Sequence, residues 1–300
     1  MMVRHFLTLN DLSQSEFRSL INRACELKAE FQEKRMQASL PGRTLGMIFE
    51  KSSTRTRVSF EAAIAQLGGH PIFLSPGETQ LGRGEPVEDT ARVLSKMVDC
   101  IMVRTFEHGK IKKFAEYSDI PVINGLSDTF HPCQLLADMQ TYFEARGDIA
   151  GKKVAWLGDG NNMCHSYINA ANILDFHLYI ACPNEYRPDQ DIVDACESGV
   201  VLTVDPLEAI SEADLVVTDV WASMGQENES SERLSVFREF QVNEELMQKA
   251  KPDAIFMHCL PAHRGEEVSA AVIDGPQSVV WEEAGNRLHS QKALLEFLMS

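Results

Sequence analysis

Long apolar runs, an excess of basic residues and regularly spaced cysteines are all missing from this chain of 300 residues. No stretch approaches the ~20 apolar residues that cross a bilayer, and the first five residues contain no apolar segment typical of a signal peptide. The formal net charge of -16 argues against nucleic acid, whose phosphates need a basic surface. The seven cysteines are scattered without a disulfide pattern. We therefore expect a cytoplasmic protein with neither a membrane nor a nucleic-acid partner.

The residues that are present indicate a parallel α/β protein. At 44% hydrophobic, the chain can bury a sizeable core, and its length favours two domains. Short apolar segments alternate with amphipathic helical segments, which is the pattern of parallel sheets covered by helices. The helix predicted over residues 134–146 ends at Gly147 and joins the two halves, so we expect domains over residues 1–147 and 148–285. The predicted strands are residues 45–49, 72–74, 100–104, 122–124, 154–157, 178–181, 201–204, 215–218, 255–258 and 279–281.

An anion site is predicted where the first strand gives way to a helix, at residues 52–57. Free N–H groups in a first helical turn, together with the helix dipole, favour a negative charge. Ser53, Thr54 and Thr56 add hydroxyl groups, and arginine supplies a planar fork that matches phosphate oxygens. Arg55 and Arg57 add two arginines to these three hydroxyl residues, which favours a phosphate site over an ordinary helix cap. In an acidic protein, such a basic cluster indicates a pocket for a small anion.

Other polar residues follow predicted strands, where open α/β sheets bind ligands. Arg104 ends the third strand, and His131 opens the linking helix three residues before Gln134. A neutral or charged imidazole and a carboxamide can together hold a polarised carbonyl and an amide NH2. Taken singly, Arg104 fits a surface ion pair and His131 fits a capping or packing role.

The second half offers a strand-to-helix turn over residues 158–163 that superficially resembles a dinucleotide site. We reject that interpretation because Met163 occupies the position of the third glycine, where helix and strand must pack closely. The turn suits a small carboxylate or amine through its two asparagines, although a purely structural turn explains it equally well. His258, Cys259 and His263 do not complete the four ligands of a structural zinc site, so we expect neither a metal ion nor a cofactor.

Five motifs then occur in order, at residues 49–57, 103–105, 131–134, 219–225 and 258–261. Together they resemble the aspartate/ornithine carbamoyltransferase family over nearly the whole chain. The serine-threonine-arginine and His-Pro motifs are those of the wider family. The Ser-Met-Gly sequence at 223–225 and His-Cys-Leu-Pro at 258–261 are similar to its ornithine branch.

The resemblance implies a carbamoyl phosphate domain followed by an ornithine domain, each a parallel β-sheet flanked by helices, with a C-terminal helix over residues 286–300 returning to the first. It also implies a homotrimer in which Gln80 reaches a neighbouring site, and transfer of a carbamoyl group to L-ornithine, more in arginine biosynthesis than in its breakdown. The residues implied for carbamoyl phosphate are Ser53, Thr54, Arg55, Thr56, Gln80, Arg104, His131, Pro132, Cys133, Gln134, Cys259, Leu260 and Arg287. Those implied for ornithine are Asn162, Asp219, Ser223 and Met224. The implied catalytic residues are Arg55, Arg104, His131, Asp219 and Cys259.

Two alternatives stay open at the level of sequence. One is a carbamoyltransferase for another amine, such as aspartate, putrescine or an acylated ornithine. Asp219 argues against it, because a carboxylate suits a free ammonium and repels aspartate's additional carboxylate. The other is a non-catalytic relative that only binds ligands. Loss of an arginine or of the histidine would favour that alternative, but Arg55, Arg104 and His131 are all present.

Overall fold

The computed structural model describes residues 3–75, 77, 79–197, 199–222 and 230–300. The chain forms two compact units. Unit 1 comprises Met1–Gln140 and Gly285–Ser300, and unit 2 comprises Thr141–Ala284. Within the described ranges, no helix combines the length and the apolar character that a membrane span requires.

Unit 1 is built around a four-stranded parallel sheet with strand order β2-β1-β3-β4. Every residue of β3 is buried, as expected for a parallel strand with helices on both faces. The elements are α1 (Gln14–Gln32), β1 (Thr44–Phe49), α2 (Thr54–Gln66), β2 (His70–Leu74), α3 (Val87–Leu94), β3 (Cys100–Arg104), α4 (His108–Glu116), β4 (Val122–Leu126) and α5 (Pro132–Arg146), whose C-terminal end belongs to unit 2.

The register of this sheet brings three loops together. Phe49 at the end of β1 lies opposite Arg104 at the end of β3, and Arg104 lies opposite Leu126 at the end of β4. Because the strands are parallel, all three continue into loops at the same edge. From β1 the chain continues to β2 at one edge of the sheet, and from β3 it continues to β4 at the other edge. Open α/β sheets bind ligands at the point between two such strands, where the direction of the connections reverses.

Unit 2 repeats this design with a five-stranded parallel sheet of order β7-β6-β5-β8-β9. Leu157 lies opposite Thr218, and Thr218 lies opposite His258, so the loops after β5, β8 and β9 are neighbours. Its elements are β5 (Lys153–Leu157), α6 (Asn162–Leu174), β6 (His177–Ala181), α7 (Gln190–Asp194), β7 (Val200–Thr203), α8 (Pro206–Ile210), β8 (Leu215–Thr218), α9 (Ser230–Phe237), α10 (Glu244–Met247), β9 (Ile255–His258), α11 (Ala270–Ile273) and α12 (Val280–Met299), whose later part belongs to unit 1.

The C-terminal part of α12 packs on the first helix of unit 1. Glu296 accepts hydrogen bonds from Arg23 Nε at 2.7 Å and from Ser39 Oγ at 2.6 Å. Lys292 on the same helix is buried beside the ring of Phe31. The predicted fold class, with two α/β sheets and a returning C-terminal helix, is therefore confirmed.

One predicted strand is wrong, and the others correspond to β1–β9. An isolated bridge to Phe256 is made by Ser278, just before the segment 279–281, and the chain turns into α12 at Val280. A run of three apolar residues fits either a strand or a helix start. Val280 is buried, whereas Trp281 is exposed, as one face of a helix requires.

A buried histidine in unit 1 makes its stability dependent on pH. His108, at the start of α4, has its ring nitrogen Nδ1 3.1 Å from Ser127 Oγ, and Phe130 packs against the ring. Burial lowers the pKa of His108 to about 4, and the nearby Lys112 charge contributes further. The unfolded chain, with a histidine pKa near 6.5, binds this proton more readily. The contribution of neutral His108 to the free energy of unfolding is therefore fully present above pH ~6.5 and is lost as the pH falls towards about 4.

We expect the His108→Leu variant to lose less stability on acidification than the parent protein. Between pH 7.5 and 5, the difference in the free energy of unfolding should be about 2 kcal/mol. Urea titrations at several pH values measure it directly. His70→Leu is the matched control, since His70 is exposed in the same unit. Equal pH slopes for the parent and His108→Leu would contradict the assignment.

Candidate active site

The predicted anion site lies at the N-terminus of α2. Ser53 is the N-cap residue, with an extended backbone, and its side chain accepts a hydrogen bond from the Thr56 N–H at 3.2 Å. Thr54 and Arg55 occupy the first turn, where backbone N–H groups lack helical partners. Thr56 is buried, whereas Thr54 is exposed. The local sequence thus forms the helix start that an anion requires.

Two charged residues that precede this helix link the three strand-end loops of unit 1. Glu50 accepts hydrogen bonds from the Thr105 hydroxyl and from the Lys110 ammonium, both in the region that follows β3. Lys51, which is buried, pairs with Asp128 in the loop that follows β4. These contacts, which sequence reasoning missed, fix the loops that carry the predicted phosphate and carbamoyl residues.

His131 lies within a cluster of arginines. It is only 5% exposed, and burial lowers the pKa of its imidazole well below the ordinary value. The guanidinium charges of Arg287, Arg104 and Arg55 lower the pKa further, in that order. Four sequence-predicted residues are therefore close enough to interact electrostatically. At neutral pH, His131 is uncharged and has one N–H donor and one acceptor nitrogen.

Gln134 is oriented by charged groups on both sides. Its side-chain oxygen accepts a hydrogen bond from Arg287 Nη1 at 2.6 Å, and its Nε2 donates to Asp138 Oδ1 at 2.9 Å. Arg287 Nη2 also lies 3.2 Å from Thr56 Oγ1, which connects this group to α2. Since arginine only donates and a carboxylate only accepts, the amide has one orientation, with its oxygen towards Arg287. Sequence reasoning missed Asp138, although it lies one helical turn after Gln134.

Three other predicted residues of unit 1 have different surroundings. Pro132 is the first residue of α5, where proline needs no hydrogen-bond partner for its nitrogen. The Cys133 thiol is buried, donates to the Asn124 carbonyl at 3.3 Å, and has its pKa raised to about 12 by burial. Cys133 can therefore contribute to a ligand only through its backbone. Gln80 is exposed, in the short 3-10 helix Gln80–Arg83.

A buried carboxylate marks the corresponding edge of the sheet in unit 2. Asp219 follows β8 and is 7% exposed. Its Oδ1 accepts from the Val220 N–H at 2.8 Å and from the Cys259 thiol at 3.1 Å, and its Oδ2 accepts from Asn161 Nδ2 at 2.8 Å. These three donors hold the carboxylate in place. Asn161 is not one of the predicted site residues, and its neighbour Asn162 is the half-buried first residue of α6.

The loop after β9 is fixed by His258. Its Nδ1 accepts from the Leu260 N–H at 2.8 Å, and its Nε2 lies 3.1 Å from Glu267, so both ring nitrogens are engaged. Leu260 has a φ of 57°, in the left-handed region that non-glycine residues rarely adopt. Potential metal-binding atoms of Asp219, His258 and Cys259 lie within 4.8 Å of one another, but His258 would have to give up one of these contacts to bind an ion.

Two predicted ornithine residues, Ser223 and Met224, lie outside the described residues. Of the other predicted residues, the structure brings Arg55, Thr56, Arg104, His131, Gln134 and Arg287 into one cluster in unit 1. In unit 2 it brings Asp219 and Cys259 into contact.

Family comparisons match both halves of the chain. The model described as "Aspartate/ornithine carbamoyltransferase, carbamoyl-P binding domain" matches residues 4–144. The model described as "Aspartate/ornithine carbamoyltransferase, Asp/Orn binding domain" matches residues 150–298.

Full-length relatives are similar over almost the entire chain. An ornithine carbamoyltransferase of Methylococcus capsulatus is 66% identical over 297 residues, which cover 99% of each protein. The crystal structure of the ornithine carbamoyltransferase of Burkholderia thailandensis has 55% identity and a TM-score of 0.92, with 99% of each chain covered. That of an anabolic ornithine carbamoyltransferase from Campylobacter jejuni has 46% identity and a TM-score of 0.92, again with 99% of each chain covered.

Proposed function

Because the chain belongs to the aspartate/ornithine carbamoyltransferase family, we propose that it transfers the carbamoyl group of carbamoyl phosphate to the δ-amine of L-ornithine, giving L-citrulline and phosphate. The observation that carries this proposal is the contrast in charge between two strand-end clusters. In unit 1, Arg55, Arg104 and Arg287 surround the neutral His131. In unit 2, Asp219 is a buried carboxylate with three hydrogen-bond donors. The first cluster suits an anionic acyl phosphate, and the second suits an ammonium group.

The unit 1 residues have distinct roles in the proposed reaction. Ser53, Thr54 and Arg55, at the helix N-terminus, bind the phosphate, with Thr56 and Arg104 alongside. His131 donates a hydrogen bond to the carbamoyl oxygen, and Gln134 accepts one from the carbamoyl NH2. Attack on the carbamoyl carbon turns that oxygen into an oxyanion. Donors already aimed at it should supply much of the rate, since one such donor is typically worth ~2.7–4 kcal/mol.

The unit 2 residues hold the second substrate. Asp219, Asn162, Ser223 and Met224 bind the amino-acid end of ornithine, and its uncharged δ-amine attacks the carbamoyl carbon. The bond between the carbamoyl carbon and the phosphate oxygen then breaks, and the proton that the amine loses leaves with the phosphate as hydrogen phosphate, so no covalent enzyme intermediate is needed. The Cys259 thiol accordingly serves as a hydrogen-bond donor to Asp219, the contact it makes at 3.1 Å. Orienting both substrates adds an advantage that can reach ~7–11 kcal/mol.

Product formation with a panel of amines tests this function. Carbamoyl phosphate is offered separately with ornithine, aspartate, putrescine and N-acetylornithine. We expect citrulline from ornithine and no turnover of the other three. Turnover of a different amine would retain the carbamoyl phosphate half of the proposal and overturn the ornithine half. The absence of any turnover would favour a ligand-binding relative without catalysis.

We also propose a homotrimer in which Gln80 reaches a neighbouring subunit's site. Support comes from apolar side chains on the surface of unit 1: Val58 on α2 is 59% exposed, and Ile72 on the edge strand β2 is 38% exposed. A second copy of the chain would cover them. Gln80 is exposed on a short helix, as a residue that contacts another subunit must be.

Mixed trimers test the role of Gln80. Gln80→Ala and Arg55→Ala subunits, weakly active alone, should regain activity when co-expressed, because some sites then combine a native Arg55 with a native Gln80 from the neighbour. Activity is measured on mixed trimers isolated with two different affinity tags. Mixing Arg55→Ala with Arg104→Ala is the control without recovery, since both residues belong to one cluster. No recovery with Gln80→Ala would refute the shared site.

The proposed setting is arginine biosynthesis in the cytoplasm. All seven cysteines are free thiols, which suits a reducing compartment. The biosynthetic direction is supported by 46% identity to the Campylobacter jejuni enzyme described as anabolic.

A further inference from the structure

Arg233 on α9 is a buried arginine for which the proposed reaction has no direct use. Its Nη1 donates to Asp159 Oδ2 at 3.0 Å and to the Trp221 carbonyl at 2.8 Å. The side chains of Arg233 and Asp159 are 7% and 10% exposed. Burying two charges carries a large desolvation cost, and apolar residues of similar volume often stabilise a fold equally well. A stabilising role alone is therefore a weak explanation for this pair.

The position of the ion pair suggests a different role. Asp159 lies two residues before Asn161, in the loop that follows β5. Trp221 lies two residues after Asp219, in the loop that follows β8. These loops are already joined by the hydrogen bond from Asn161 to Asp219, at 2.8 Å. Arg233 supplies a second link between the same two loops, by binding Asp159 and Trp221 with one nitrogen.

Aromatic packing fixes the helix that carries Arg233. The guanidinium lies over the ring of Tyr186, 4.6 Å from its centroid. One turn later on α9, Phe237 packs on the rings of Tyr186 and Trp221, with centroids 4.8 and 5.8 Å away. Gly160 hydrogen-bonds to the Tyr186 carbonyl at 2.8 Å, and a Cβ at Gly160 would come within 2.6 Å of that oxygen. The loop that contains Asp159 is thus held against the same aromatic group.

We propose that Arg233 and Asp159 are a positioning pair that holds Asn161 and Asp219 in register for the amino-acid end of ornithine. This inference rests on the proposed function. Two residues that do not contact a substrate would then determine the affinity for ornithine and leave the affinity for carbamoyl phosphate unchanged. In this proposal neither residue contacts ornithine or the reacting atoms. The pair acts by fixing the distance between the loops after β5 and β8.

Steady-state kinetics of Arg233→Met test the proposal. KM for ornithine should rise about tenfold or more, whereas KM for carbamoyl phosphate and kcat should stay within about threefold of the parent values. Arg238→Met, at an exposed position on the adjoining turn, is the matched control and should leave all three constants unchanged. Equal changes in both KM values, or a fall in kcat alone, would overturn the proposal.

A double variant separates the proposed positioning role from a failure of the single variant to fold. Arg233→Met removes the ion pair that the buried Asp159 carboxylate makes with Arg233, and breaking such a pair from one side is strongly destabilising. Asp159→Leu combined with Arg233→Met removes both charges and fills the same space with apolar side chains, so the double variant should fold. It should still show the raised KM for ornithine, and native kinetics in this folded protein would reject the pair's positioning role. If the parent enzyme carbamoylates a different amine, the proposed function fails, but the same comparison made with that amine still decides the inference.

Discussion

The Arg55→Ala variant should lose nearly all turnover and keep its fold. We expect kcat/KM for carbamoyl phosphate to fall about a thousandfold, the upper end of what one lost donor to developing charge costs. The guanidinium lies in the first turn of α2, where it adds to the N–H groups and the dipole that favour an anion. The helix itself depends on the Ser53 cap and on buried Phe60 and Ile64, which the substitution leaves in place.

Arg57→Ala is the matched control for this prediction. Arg57 lies two residues further along α2, where it pairs with Glu61 and packs over the ring of Phe73. Its loss should change turnover less than about threefold. Circular dichroism and thermal unfolding of both variants separate lost activity from lost structure. Near-normal turnover of a folded Arg55→Ala protein would reject the phosphate site.

The strand-end clusters could be predicted because their signals are local. An apolar strand followed by hydroxyl residues and arginines indicates a helix start with anion-binding groups, and Ser53 is indeed the N-cap of α2. Parallel strands all end at one edge of a sheet, so Arg104 and His131 were expected near this helix. The register of β1, β3 and β4 explains why they meet there.

Other details depend on contacts that a single sequence does not reveal. Of two adjacent asparagines, the family resemblance implies Asn162 as an ornithine contact, and the structure shows in addition that Asn161 caps α6 and binds Asp219. The residue at which the helix begins decides which asparagine is the cap. The sequence also left His131 neutral or charged. Burial among three guanidiniums makes it neutral, and burial arises only once distant segments have packed together.

Helical periodicity predicts the side-chain partner of Asp138 but not that of Arg233. Asp138 lies four residues after Gln134 on α5, so helical spacing alone places the two side chains on one face. That signal was present in the sequence. Arg233 gave no comparable signal, because its partner Asp159 is 74 residues away. Pairing between distant residues of opposite charge becomes visible only in the folded structure.

The Asp219→Asn variant should affect ornithine far more than carbamoyl phosphate. Both oxygens of Asp219 already accept hydrogen bonds, from Asn161, Val220 and Cys259. Asparagine has only one carbonyl oxygen, so its NH2 group must face one of these donors, and the charge that attracts an ammonium is lost. Losing a charged hydrogen bond costs ~1.5–3 kcal/mol, so KM for ornithine should rise by about ten- to a hundredfold. KM for carbamoyl phosphate should change less than about threefold.

Asp194→Asn, an exposed site in the same unit, controls for the change in net charge and should leave both constants unchanged. Asp219→Asn also separates two explanations for ornithine selectivity. If the Asp219 charge repels aspartate's additional carboxylate, the variant should carbamoylate aspartate at a measurable rate, which the parent is expected not to do. A raised KM for ornithine without any turnover of aspartate would mean that Asp219 orients the substrate without selecting it. Selection would then depend on other groups in the ornithine site.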